Sequence, residues 1–211
     1  MKGSFTSEAT RTPTLSRFQL AASVLILIGF FAPWIAHDSA ALTVTGYEMS
    51  EFAKFFPQVQ SGMVPVRRAL FITPFFAAII STALVIRRSP MRSLFRLGAT
   101  ALAVFLSLAV LPPHQSILEP AYRAQLIVVA VGMLLTAATV LTGQLTERVR
   151  GILTLLVALA GAVPALWQYI LLRPLVAELY RAPVLPGWGL VVCVIGLVLL
   201  SVIALRDIFT G

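Results

Sequence analysis

The chain has 211 residues, 59% of them hydrophobic and 11% charged, and sixteen Lys and Arg against eight Asp and Glu give a net charge of +8. Average globular proteins carry about 25% charged residues, so this chain has too little charge to cover a water-soluble fold of its size. Its basic residues flank apolar runs instead of gathering on one helix or groove among aromatics, which argues against nucleic-acid binding and for orientation in a bilayer.

The expected fold is an all-α integral membrane protein, a six-helix transmembrane bundle arranged as three antiparallel hairpins. Residues 1–17, with several Ser and Thr and with Pro13, form a cytoplasmic tail that needs no fixed structure. A single transmembrane domain, 18–205, follows. Its first span covers about 18–36 and ends in Phe30, Phe31 and Trp34, the aromatic cluster expected where a helix meets the interface. A competing reading makes this segment a signal peptide, with basic residues before it and small residues Ser39 and Ala41 at a cleavage site; five spans would then remain.

The loop from His37 to Val66 is the longest outside the apolar runs. From Tyr47 to Phe56, apolar residues alternate with Glu48, Glu51 and Lys54 at helical spacing, which predicts a short amphipathic helix ended by Pro57. Phe52, Phe55 and Phe56 are its candidate contacts with a partner or with the membrane surface.

Span two, about 69–86, is bracketed by Arg67–Arg68 and Arg87–Arg88; span three, about 97–111, is the shortest. A compact loop containing Pro112, Pro113 and Pro120 leads to span four, about 125–143. The turn to span five, about 151–172, is so short that these two helices are expected to be antiparallel neighbours. The segment from Arg173 to Gly187 reads as a helical turn around Val176 to Tyr180 and then an extended stretch with Pro183 and Pro186. Span six, about 188–205, precedes a short cytoplasmic tail, 206–211.

With the amino terminus inside, ten basic residues fall on the inner side (Lys2, Arg11, Arg17, Arg87, Arg88, Arg92, Arg96, Arg148, Arg150, Arg206) and six outside (Lys54, Arg67, Arg68, Arg123, Arg173, Arg181). The bias places both termini in the cytoplasm and the larger loops outside. The Arg-rich, Lys-poor composition and compact loops suggest a bacterial inner membrane.

No span interior contains Asp, Glu, Lys, Arg or His, which lowers the expectation of a proton- or sodium-coupled transporter, since such sites depend on intramembrane ionisable groups. Metalloprotease, nucleophile-elbow and CxxC signatures do not occur in the sequence, and neither an enzyme nor a cofactor is expected. His37 and His114 sit at span ends. They are weak candidates for haem or metal ligation, and His114 with Glu119, or Glu48 with Glu51, for acid/base chemistry. Cys193 reads as a small buried apolar residue. Pro74 and Pro164 fall inside spans and are candidate kinks, while small residues at Ala158, Gly161, Ala162 and Ala165 suggest close helix packing.

The function that best fits is a non-catalytic polytopic membrane protein, an accessory or scaffold subunit in contact with other membrane-protein subunits. The alternative is a small transporter or lipid-handling protein without an intramembrane charge relay.

Overall fold

The structure is a computed structural model that describes residues 8–36, 43–88, 93–112, 117, 119–141 and 145–210. It is mostly helical. The elements in order are α1 (Glu8–Phe31), β1 (Pro33–Ala36), β2 (Val44–Thr45), α2 (Met49–Phe52), a 3-10 turn (Ala53–Phe55), α3 (Pro57–Gln60), a 3-10 turn (Arg68–Ile72), α4 (Thr73–Arg88) and α5 (Ser93–Ser107). The 3-10 turns Leu108–Val110 and Pro120–Tyr122 precede α6 (Arg123–Leu141), α7 (Glu147–Tyr180), β3 (Leu185–Pro186) and α8 (Trp188–Thr210). Four segments are long and apolar enough to cross a membrane: 68–86, 120–139, 147–180 and 188–210. Ser16–Phe31 and Ala101–Val110 are apolar but shorter.

Four helices make the core. α8 lies against α1 and α7, and α4 closes the group by packing on both α1 and α7. α5 and α6 pack on each other and on α4, and α6 also meets the 3-10 turn Arg68–Ile72. The expected α6–α7 pairing is therefore corrected: the short turn joins two helices that do not pack along their lengths, because α6 buries its contact face against α4 and α5.

The α1–α8 crossing is a backbone contact. A Cβ on Gly29 would stand 2.3 Å from the Cys193 backbone nitrogen, and one on Gly196 would stand 2.9 Å from the Ala22 carbonyl oxygen. Apolar burial drives little helix association where the surroundings are as apolar as the helices, and close backbone approach through small residues takes its place. Polar side chains add cross-links: Gln19 Nε2 donates to Ser81 Oγ at 3.2 Å between α1 and α4, and Thr73 Oγ1 donates to the Gly161 carbonyl at 3.0 Å between α4 and α7.

Three departures from the expected elements have local causes. α1 starts at Glu8, inside the segment read as a tail, and stops at Phe31 where the first span was expected to run to Ala36. The stop follows from Pro33, which disfavours helical geometry at the residue before it. The chain then turns into β1, the central strand of a three-stranded antiparallel sheet of order β2-β1-β3, with Ile35 opposite Val44 and Pro186. This small sheet corrects the all-α expectation. Trp34 is consequently no interfacial anchor: it is 1% exposed, donates from Nε1 to the Gly29 carbonyl at 2.9 Å, and packs edge-on against Phe71 and Tyr169.

α7 absorbs the helical turn expected around Val176–Tyr180 and continues unbroken through Pro164 and Pro174 to Tyr180. It ends where Arg181 adopts the left-handed conformation (φ 51), with the Ala182 N–H returning to the Ala177 carbonyl. Pro74, by contrast, is the second residue of α4, just after the 3-10 turn, where a missing N–H breaks no helical hydrogen bond.

At the end of the bundle opposite the sheet, α7 and α8 are joined by charge. Arg150 and Asp207 are both buried and bonded at 3.1 Å, and Arg150 also pairs with Glu147 one turn back. Thr146 caps α7 by accepting from the Val149 N–H.

Candidate functional site: a cation-rimmed groove at the sheet end

The segment from Met49 to Gln60 is a chain of short helical turns with one face rooted in the core. Met49, Ala53 and Phe56 are buried, which turns Glu51, Lys54 and Phe55 outward. As expected, the helical run stops before Pro57, with Phe56 extended (φ −85, ψ 119), and Pro57 then opens α3 at its first position. Gln60 Nε2 donates to the Lys54 carbonyl at 2.7 Å and folds α3 back on the preceding turn.

Residues distant in sequence meet at this surface. Lys54 Nζ pairs with Glu51 Oε2 at 2.5 Å, and the Tyr122 hydroxyl donates to the same oxygen at 3.0 Å. The hydrogen bond that Lys54 donates to Glu51 raises the Lys54 pKa above its ordinary value, against the opposing effect of partial burial. Arg68 donates to the Ala121 carbonyl at 2.9 Å and lies over the Tyr122 ring, 5.4 Å from its centroid. Lys54 lies 5.5 Å from the Phe55 centroid. The Arg67 backbone N–H is held by Gln168 Oε1 at 2.7 Å, which fixes the chain to α7 while the residue stays exposed.

Between these groups lies a groove of about 940 Å³, near the upper end of small-molecule sites. Lys54, Arg67, Arg68 and Glu119 supply its charges. Leu70, Ala124, Ile127 and Val128 supply an apolar wall that descends α6. From Tyr122 to Val128 that wall runs roughly 9 Å at the helical rise. Glu119 is exposed and extended (φ −67, ψ 136), the conformation imposed by Pro120 after it.

The expected site residues fall as follows. Phe55 is 69% exposed and borders the groove, Phe52 is half-buried edge-on to Phe56, and Phe56 is 5% exposed, within the core. Only Phe55 of the three offers a free surface. His37 and His114 lie outside the described residues, so the geometry of the His114–Glu119 pair is not on view. Glu48 and Glu51 have separate partners: Glu48 Oε2 accepts from the Thr45 backbone N–H at 2.9 Å, and Glu51 binds Lys54 and Tyr122. Among the described residues, no three His, Cys, Asp or Glu side chains come together in a way that could hold a metal. Cys193 is buried in the α1–α8 crossing.

In the sequence Arg67 and Arg68 stand as markers of a span end, and no pattern singles out Tyr122. The signal that points to them is an Arg pair on the side where the basic-residue bias expects few, since such cations are better explained by a local task than by topology. Comparison with protein-family models, with curated proteins and with solved structures finds no match for this chain.

Proposed function

We propose that the chain is a non-catalytic, six-span membrane protein that handles lipid, taking a phospholipid from the outer leaflet into the groove at the sheet end. The observation that carries this reading is the groove itself: cations at the rim and an apolar wall running down a helix apolar enough to span a bilayer. A phospholipid has that same order of parts, an anionic phosphate above alkyl chains. Ten basic residues on the terminal side against six on the loop side support an outward-facing groove. Counting α1 and α5 as spans is supported by their apolar stretches and by burial of Ala22, Ile26 and Phe30 against α4 and α8, which also favours retention of α1 over its cleavage.

Lipid analysis of protein purified in mild detergent tests this. Wild type should retain phospholipid through repeated detergent washes, and Arg67→Ala/Arg68→Ala should lose it, while Arg206→Ala, at the other end, should not. Equal retention by all three would refute the proposal.

A second reading, an accessory or scaffold subunit, is favoured by the α5–α6 hairpin. It is joined to the core through α4 and exposes Leu102, Phe105, Ile127 and Leu134. A defined partner recovered by crosslinking from α5 or α6 in intact membranes would support it, and a chain that never crosslinks to another protein would remove it.

A further inference from the structure

We infer that the groove selects a phospholipid whose headgroup ends in a primary ammonium, with the phosphate at Arg67 and Arg68 and the ammonium at Glu119. The inference rests on the lipid-handling reading and adds the headgroup chemistry.

It follows from which charges are already satisfied. Lys54 is neutralised by Glu51 at 2.5 Å. Arg67 and Arg68 have no carboxylate partner among the described residues, and Arg68's one hydrogen bond goes to a neutral carbonyl. Guanidinium groups match phosphate oxygens with paired donors, so two unneutralised Arg at a groove mouth form a phosphate site. Glu119 borders the same groove and makes no ion pair among the described residues. A headgroup carrying only negative charge would set like charge against it. A headgroup with a phosphate and a cation complements both signs.

The rim also discriminates between cationic headgroups. Quaternary ammonium groups, which lack N–H donors, are recognised by aromatic faces. The two rings at this rim, Tyr122 and Phe55, already carry Arg68 and Lys54. A primary ammonium can instead donate hydrogen bonds to the Glu119 carboxylate. Below the rim, the apolar wall along α6 is deep enough for the glycerol and the first methylenes of the chains.

The test is native mass spectrometry of the full-length protein in detergent with equimolar dioleoyl-phosphatidylethanolamine, -phosphatidylglycerol and -phosphatidylcholine. Wild type should favour the ethanolamine lipid over both others. Glu119→Gln, an isosteric change at an exposed position, should keep total lipid binding and lower the ethanolamine-to-glycerol occupancy ratio by roughly two- to fivefold, the scale of an ion pair to an exposed carboxylate. A wild-type protein indifferent to headgroup, or a Glu119→Gln variant with unchanged preference, overturns this inference and leaves groove binding standing. Lipid occupancy that Arg67→Ala/Arg68→Ala does not reduce overturns the lipid-handling reading as well.

Discussion

Gly29→Ala tests how the core is built. The new Cβ would meet the Cys193 backbone nitrogen at 2.3 Å, the Gly189 carbonyl oxygen at 2.6 Å and the Cys193 Cα at 2.7 Å. Non-bonded carbon contacts are comfortable at about 3.5–4.0 Å, so α1 and α8 must separate by about 1 Å. Every atom met is backbone, and no side-chain rotation relieves the clash. Overpacking of this kind costs typically about 1–3 kcal/mol, and the close backbone contact places it in the upper part of that range. Better helix propensity returns about 0.5–1 kcal/mol. The net loss is about 2 kcal/mol, or roughly 4–8 °C in melting temperature for a chain of this length. Gly98→Ala is the control: a Cβ there meets nothing within 4 Å, so only the propensity gain remains and the variant should be as stable as wild type or slightly more. Thermal unfolding in detergent, followed by circular dichroism, measures both. A Gly29→Ala protein melting at or above the wild-type temperature would show that α1 and α8 do not meet backbone to backbone.

Other outcomes follow from the polar contacts and the α4–α6 packing. Arg150→Leu strands the Asp207 carboxylate, whose side chain is 5% exposed, and should cost about 3–5 kcal/mol. Asp207→Asn leaves Arg150 with Glu147 and should cost less, about 1–3 kcal/mol; denaturant titration showing equal losses would contradict the buried pair. Because Glu51 raises the Lys54 pKa, the stabilisation from their pairing is fully present below the unfolded value of 10.5 and is lost as pH rises through the folded value. The melting-temperature difference between wild type and Lys54→Met should therefore stay constant across neutral pH and shrink only in strong alkali; a difference already shrinking at neutral pH would refute the pairing. Gly132→Leu should loosen α6 from α4 and reduce retained phospholipid, since even its Cβ would meet the buried Phe76 ring at 2.2 Å. Unchanged lipid retention in a destabilised Gly132→Leu protein would separate the groove from the α4–α6 contact.

The helices were legible where charge or composition marked their ends. The Arg pairs around α4 and the Trp188 start of α8 match the expected boundaries closely. Pro33 was visible as well, but the apolar run continued past it. Hydropathy therefore carried the first span to Ala36, where the backbone has already become a strand. The sheet was hidden because β2 and β3 are two residues each and carry no alternating pattern to detect. Trp34 misled for a related reason: interfacial placement fits an aromatic at a helix end, whereas here the sheet folds over the bundle and covers the indole. The groove was legible only in pieces. Lys54 and Arg68 are joined by a segment of short turns while Tyr122 lies beyond α4 and α5, and no spacing rule connects a loop turn, a 3-10 turn and the residue before α6.

The groove lies along the seam between two parts of different build. On one side, α1, α4, α7 and α8 meet through glycine contacts and inter-helix hydrogen bonds, a core with little freedom to shift. On the other, α6 belongs to a hairpin held through α4, with the Phe76 ring seated on Gly132 as a principal contact. Arg67 and Arg68 are fixed to the first part through Gln168 and the 3-10 turn, while Glu119, Ala121 and Tyr122 enter with the second. The hydrogen bond from Arg68 to Ala121 and the cluster of Lys54, Tyr122 and Glu51 are what hold the rims together. A phosphate drawing on Arg68 competes with its bond to the Ala121 carbonyl, and an ammonium at Glu119 acts on the same short turn. On the proposed reading, a phospholipid in the groove would be coupled to the position of the α5–α6 hairpin through residues 119–122, which contribute to the rim of the groove and lead into α6.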